Sequence, residues 1–204
     1  MKIFVGISGA SGSILGGRLL KVLSQAGHDV TVCVSDGAVQ VMRFEDQSDV
    51  PGSGNTSRET VIDSFLAANG VEAGSIRLVS PENMGEAFAS GSFLGDAAVI
   101  CPCSMSTVAG IAAGITSNLI HRVADVMLKE SRPLVVVPRE TPLSEIHLRN
   151  MLTLRRAGAH IVPAMPAFYI HPASVDDLVD FVVGKVLDVL GISHELFDRW
   201  EGKA

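Results

Sequence analysis

The stretch KIFVGISGASGSILGGRLL, residues 2–20, decides the class of this chain. It opens with an apolar β-type run, KIFVGIS (2–8), and passes through the small residues SGASGS. It then carries Ile14, Leu15, Leu19, Leu20, Leu23 and Ala26 at helical spacing, which predicts a helix over 13–26. A buried strand that turns through small residues into a helix is the opening of a βαβ unit. Such a turn lets a ligand approach the backbone. The helix that follows offers free N–H groups and a positive dipole end to an anion. Ser8, Ser11 and Ser13 add hydroxyl donors. The same residues also suit a tight packing turn with no ligand.

Working outward, β-type runs alternate with helical patterns. Strands are predicted over 29–35, 75–80, 97–102, 133–138 and 160–164. Helices are predicted over 36–44, 60–69, 104–115, 118–130, 144–158 and 174–191. Ser174 caps the last helix, Asp176 and Asp177 sit in its first turn, and Gly191 stops it. Buried strands alternating with helices imply a parallel sheet covered on both faces. The polar, Gly/Ser-rich stretch at 46–58 reads as a loop, too early to divide two domains, and 81–96 has little periodicity.

Composition narrows the function classes. The 204 residues suit one domain with a sizeable core. Hydrophobic residues make up 47% and charged residues 19%, below the usual quarter, so part of the surface is expected to be covered by copies of the chain. A formal charge of −6 argues against a general nucleic-acid partner. No apolar run reaches membrane-spanning length. Cys33, Cys101 and Cys103 have no disulfide-like spacing, which fits a reducing, cytoplasmic setting. No histidine falls in a metal-binding spacing, so no metal is expected.

The dinucleotide fingerprint G-x-G-x-x-G is not met: glycines fall at 6, 9, 12, 16 and 17, with Ser8 where the fingerprint would open. No Gly-Lys-Ser/Thr of a P-loop follows. Asp36, after the second strand, suits either a ribose diol or a helix cap, and an NAD-dependent reductase would rest on it alone. A mononucleotide held by serines and backbone N–H groups remains. A second stretch of the same design, CPCSMSTVAG (101–110), runs from a strand through Ser104, Ser106 and Thr107 into a helix. Two such turns on neighbouring strands would hold two parts of one cofactor.

Five stretches carry a family resemblance: GISGASG (6–12), AAVICPCSMSTVAGIA (97–112), NLIHRVADVMLKESRPLVVVPRETPL (118–143), HLRNMLTLRRAGAHIVPAMPAFY (147–169) and VDFVVGKVLDVLG (179–191). Together they resemble the UbiX flavin prenyltransferases over nearly the whole chain. The resemblance implies a single flavoprotein domain over 1–204, an α/β Rossmann-like (flavodoxin-like) three-layer sandwich with a parallel sheet. It implies reduced FMN as prenyl acceptor, dimethylallyl phosphate as donor and prenylated FMN as product, passed to a UbiD-type decarboxylase. It also implies metal-independent catalysis in a cytoplasmic homododecamer. By position, Gly9, Ala10, Ser11, Ser35, Ser104, Met105, Ser106, Thr107 and Arg139 are expected to bind FMN. Lys129, Arg139, Tyr169 and Lys185 are expected to bind dimethylallyl phosphate, and Glu140, Ser11, Lys129, Glu45 and Trp200 are the catalytic candidates. Two positions depart from the family pattern. Lys185 stands where arginine is frequent and loses the planar fork, and Met84 stands where some relatives carry an aromatic.

The chemistry suits these residue types. Departure of phosphate from an allyl group needs cations and donors on the phosphate, and each charge pair at 4 Å is worth roughly 4 kcal/mol at an effective dielectric of 20. An aromatic face such as Trp200 stabilises an allyl cation, and Glu140 beside Arg139 can move protons. Two alternatives remain. One is a flavin-dependent cysteine decarboxylase of the same fold, against which stand the absence of His from 80–98 and RETPL after VVVP. The other is a non-catalytic FMN-binding subunit.

Overall fold

The computed structural model describes residues 1–45, 56–72, 74–200 and 202. Six strands form one fully parallel sheet: β1 (Lys2–Ile7), β2 (Asp29–Val34), β3 (Arg77–Val79), β4 (Ala97–Cys103), β5 (Leu134–Pro138) and β6 (His160–Ile161). Among the described residues, seven α-helices surround it: α1 (Ser13–Gln25), α2 (Asp36–Glu45), α3 (Arg58–Ala68), α4 (Met105–Ala112), α5 (Leu119–Lys129), α6 (Glu145–Arg156) and α7 (Val175–Leu190). Every element predicted from periodicity is present in kind. The strand predicted over 75–80 shortens to Arg77–Val79, and that over 160–164 to His160–Ile161. Both lie at sheet edges, and Pro163 has no N–H to continue β6. Of the loop at 46–58, residues 46–55 lie outside the described residues.

The strand order is β3-β2-β1-β4-β5-β6. The chain builds outward from β1 to one edge, then returns to β1's other side through β4. Direction of winding reverses between β1 and β4, which creates a crevice at their carboxyl ends. The core divides between the two faces, as a covered parallel sheet requires. Ile3, Val5 and Ile7 of β1 pack with Leu19, Leu20 and Leu23 of α1 and Val183, Val186 and Leu187 of α7. Phe4 packs on the opposite face with Phe88 and with Leu119, Ile120 and Val123 of α5. α1, α5 and α7 return antiparallel to the strands, so their first residues lie at the carboxyl edge and their last at the amino edge.

Candidate active site

The turns after β1 and β4 meet at the reversal point. Ser8, 2% exposed, joins them: its backbone N–H donates to Pro102 O (3.1 Å), and its Oγ accepts the N–H of Ser104 (2.8 Å). The two turns expected on neighbouring strands therefore lie side by side. Ser8, however, is spent inside the protein and does not face a ligand as its sequence position had suggested.

Glycine at position 9 serves an internal contact as well. A Cβ there would sit 3.0 Å from the carbonyl carbon of Gly37, so the first turn touches the start of α2 backbone to backbone. Ala10 is buried and Ser11 is exposed.

The amino end of α1 is already occupied. The Glu45 carboxylate, arriving from the end of α2, accepts the N–H of Gly12 (2.6 Å) and the N–H and Oγ of Ser13 (2.9 and 2.6 Å). Burial would raise its pKa. Hydrogen bonds from the Ser11 and Ser13 hydroxyls and from the Gly12 and Ser13 N–H groups outweigh that and hold it below the ordinary carboxylate value. The helix end proposed as an anion site thus carries the protein's own anion, and Ser13 is buried against it. Glu45 and Ser11, both catalytic candidates, are brought together by this contact.

The second turn keeps its amino end more open. Ser104 caps α4, its Oγ accepting the N–H of Thr107 (3.3 Å) and lying 3.0 Å from the hydroxyls of both Ser106 and Thr107. Met105 and Thr107 are buried, while Ser106 is exposed. Ser35, at the end of β2, accepts the N–H of Ala38 (3.1 Å) and retains its own proton to donate. From the end of β5, Arg139 Nε donates to the carbonyl of Ser11 (3.1 Å), spanning the mouth of the crevice. Glu140 follows it, one carboxylate oxygen accepting the N–H of Thr141 (3.0 Å). Asp36 is taken by Arg58, which also donates to the carbonyl of Val34, so the residue on which a ribose-binding reading rested has a partner within the fold.

The remaining candidates stand elsewhere in one chain. Tyr169 and Trp200 form an edge-to-face pair with centroids 5.9 Å apart, and Tyr169 also meets Phe181 of α7 (6.1 Å). Lys185 follows Phe181 by about one helical turn and donates to Asp188 (3.1 Å). Arg18 of α1 pairs with Asp180 of α7 (2.5 Å), and Lys185 lies roughly 7 Å farther along α7 toward the amino edge. Lys129 ends α5 and pairs with Glu130 (2.5 Å) beside Gly91, in the loop that enters β4. A strand of β4's length separates it from Ser104, roughly 20 Å. Within one chain, Lys129 therefore does not join Lys185 around one phosphate, because α5 packs on the opposite face of the sheet from α7. Met84 is exposed in the loop before Glu86.

The three cysteines are free and buried, and burial pushes all their thiols up, Cys33 and Cys103 to about 12. They are core residues with no nucleophilic role. Among the described residues, no cluster of His, Cys, Asp or Glu is placed to hold a metal ion, and no helix is long and apolar enough to cross a membrane.

Residues 1–187 match the Flavoprotein family model. The flavin prenyltransferase UbiX of Halalkalibacterium halodurans is 48% identical over 198 residues, covering 96% of this chain and 91% of that protein. A crystal structure of AnUbiX (PadA1) in complex with FMN and dimethylallyl pyrophosphate superposes with a TM-score of 0.84 at 38% identity, covering 99% of this chain and 98% of the other. A dodecameric FMN-dependent UbiX-like decarboxylase from Escherichia coli O157:H7 gives the same TM-score at 42% identity, covering 99% and 100%. Sequence and backbone agree over almost the full length, and the joined turns of β1 and β4 fall inside the matched region: this chain belongs to the UbiX family of flavin prenyltransferases.

Proposed function

We propose that this enzyme transfers the dimethylallyl group of dimethylallyl phosphate to reduced FMN, and that the prenylated flavin serves a UbiD-type decarboxylase. The observation that carries this reading is the convergence of four strand ends on one crevice. Ser11, Ser35, Ser106 and Arg139 surround it from β1, β2, β4 and β5, and Glu45 lies against Ser11. These residues fit a flavin mononucleotide. With the α1 terminus filled by Glu45, the exposed Ser106 and the first N–H groups of α4 remain to receive a phosphate. Gly9 and Ala10 form the floor of the first turn, and Ser104 to Thr107 the second.

Reduced flavin supplies the nucleophilic nitrogen-5 and carbon-6 that receive the prenyl carbons. The protein's own work is positioning and charge. Arg139 draws the end of β5 over the first turn and presents its guanidinium to the crevice. Glu140, next to it, holds the proton that the departing phosphate or the flavin exchanges. Glu45, held at the start of α1 by Gly12 and Ser13, is a second carboxylate beside the first turn able to exchange a proton.

Lys129, Tyr169, Lys185 and Trp200 complete the prenyl phosphate site when copies of the chain assemble. Two facts support this. Lys129 stands across the sheet from the other three in one chain, and the relative named above is dodecameric. α6 also exposes Leu148 and Leu152, one turn apart on one face, to a neighbour. A homododecamer of single-domain chains follows, working in a reducing cytoplasm that keeps the three thiols free. Incubating the protein with reduced FMN and dimethylallyl phosphate should add one prenyl unit to the flavin by mass spectrometry. Unmodified flavin after incubation with both mono- and diphosphate donors would overturn the reading.

A further inference from the structure

We infer that Asp188 is a positioning residue that docks the carboxyl-terminal segment bearing Trp200 and ties it to Lys185. The linkage to the reaction rests on the reading of Tyr169, Lys185 and Trp200 given above.

Phe181, Gly184, Lys185 and Asp188 fall on one face of α7 by their spacing. That face carries the segment 192–200. At Gly184 a Cβ would collide with the Phe197 ring and come 2.7 Å from Cε1 of His194. Glycine is unfavourable inside a helix, and here its absent side chain is the space the segment fills. Phe197 stacks on Phe181 (5.0 Å between centroids) and on His194 (5.3 Å).

Asp188 is the polar centre of this contact. Arg199 donates to both its oxygens (2.8 and 2.7 Å), a fork-to-carboxylate pairing that fixes orientation. Lys185 donates to Oδ2 (3.1 Å). His194, with a side chain 2% exposed, accepts the N–H of Leu196 at Nδ1 (3.2 Å), which leaves the proton on Nε2 to donate to Asp188 Oδ1 (3.1 Å). A carboxylate in the last turn of a helix opposes the dipole, so α7 by itself gives no reason for an aspartate there. Its three partners do. The Arg199 hydrogen bonds, against the upward push of burial and with help from Lys185, hold the Asp188 carboxyl far below the carboxylate range.

Trp200 follows Arg199 directly and meets Tyr169 edge to face. The carboxylate that seats Arg199 thereby sets where Trp200 lies. Lys185 gives Asp188 one of its three ammonium donors and keeps two for an incoming phosphate. Binding of the donor phosphate and placement of the aromatic over it are thus organised by one side chain.

Trp200 is the only tryptophan of the chain, so its fluorescence reports the segment alone. In the FMN-loaded oligomer, Asp188→Asn and Arg199→Gln should each lower Trp200 anisotropy and raise its quenching by acrylamide. Arg199→Lys should recover part of both. Arg199→Gln leaves α7 untouched and serves if Asp188→Asn fails to fold. In Arg199→Gln, KM for dimethylallyl phosphate should rise about tenfold, with FMN affinity unchanged. Unchanged anisotropy and quenching in folded variants would overturn the docking role. Released Trp200 with unchanged donor KM would leave the docking in place and remove the prenyl-site reading of Trp200.

Discussion

Glu45 closes the amino end of α1 through Ser13, whose N–H and Oγ lie 2.9 and 2.6 Å from the same carboxylate oxygen, Oε2. The ligand turn after β1 is therefore shaped before any ligand arrives. An acidic side chain there favours the helix dipole and satisfies N–H groups that α1 cannot pair internally. Glu45→Gln should keep the volume, lose the charge and one of the two acceptor oxygens, and lower stability by about 1–2 kcal/mol, read from urea unfolding.

The same contact sets a pH dependence. The folded pKa of Glu45 lies below its ordinary value of 4.5, so the unfolded chain binds the proton more readily. Its contribution is fully present above about pH 4.5 and is lost as pH falls through the lower, folded value. Stability measured between pH 6 and pH 3 should therefore fall less steeply in Glu45→Gln than in the native chain. Parallel curves would remove Glu45 as a source of acid sensitivity.

Gly9→Ala tests the close approach of the first turn to α2. The added methyl meets Gly37 backbone, which cannot rotate away as a side chain would. A cost of about 1–3 kcal/mol in stability is expected, together with weaker FMN binding. Ser11→Trp, at an exposed position of the same turn, should abolish FMN binding and leave the fold intact. Native flavin affinity in Ser11→Trp would take the turn out of the site.

Glu140→Gln should retain FMN and lose prenylation. The amide preserves volume and can still accept the Thr141 N–H, but it cannot carry a proton. Single-turnover flavin spectra, compared with equilibrium FMN titration, separate the two effects. Full turnover would reduce Glu140 to a local hydrogen-bond acceptor.

Lys129 can be tested by mixing. Lys129→Ala and Ser11→Trp chains should each be inactive alone. If each site takes its lysine from one copy and its flavin turn from another, co-assembled chains should regain on the order of a quarter of native activity by random pairing. No recovery in verified mixed oligomers would return Lys129 to its local role as a partner of Glu130.

Periodicity by itself determined the kind and order of the elements. Residues 13–26 alternate apolar and polar at helical spacing, while 2–8 and 97–102 do not, and that contrast is local. The two small-residue turns were legible for the same reason, since each follows directly on an apolar run. Capping was legible too: Ser174 accepts the N–H three residues ahead, an interaction contained within a few residues of chain. What only the tertiary structure decided was every relationship through space. Side-by-side placement of β1 and β4, with the two outer strands on β1's other side, follows from crossover packing and made the turns one crevice. It turned Ser8 inward to bind Ser104, and it carried Glu45 across from α2 to fill the amino end of α1 with the protein's own anion. It sent Lys129 to the opposite edge of the sheet, because a helix returning antiparallel to its strands must end where they begin. Asp188 escaped notice in the sequence since an aspartate near a helix end carries no pattern. Its meaning lies in Arg199 and His194, which a folded chain returning along α7 brings to it.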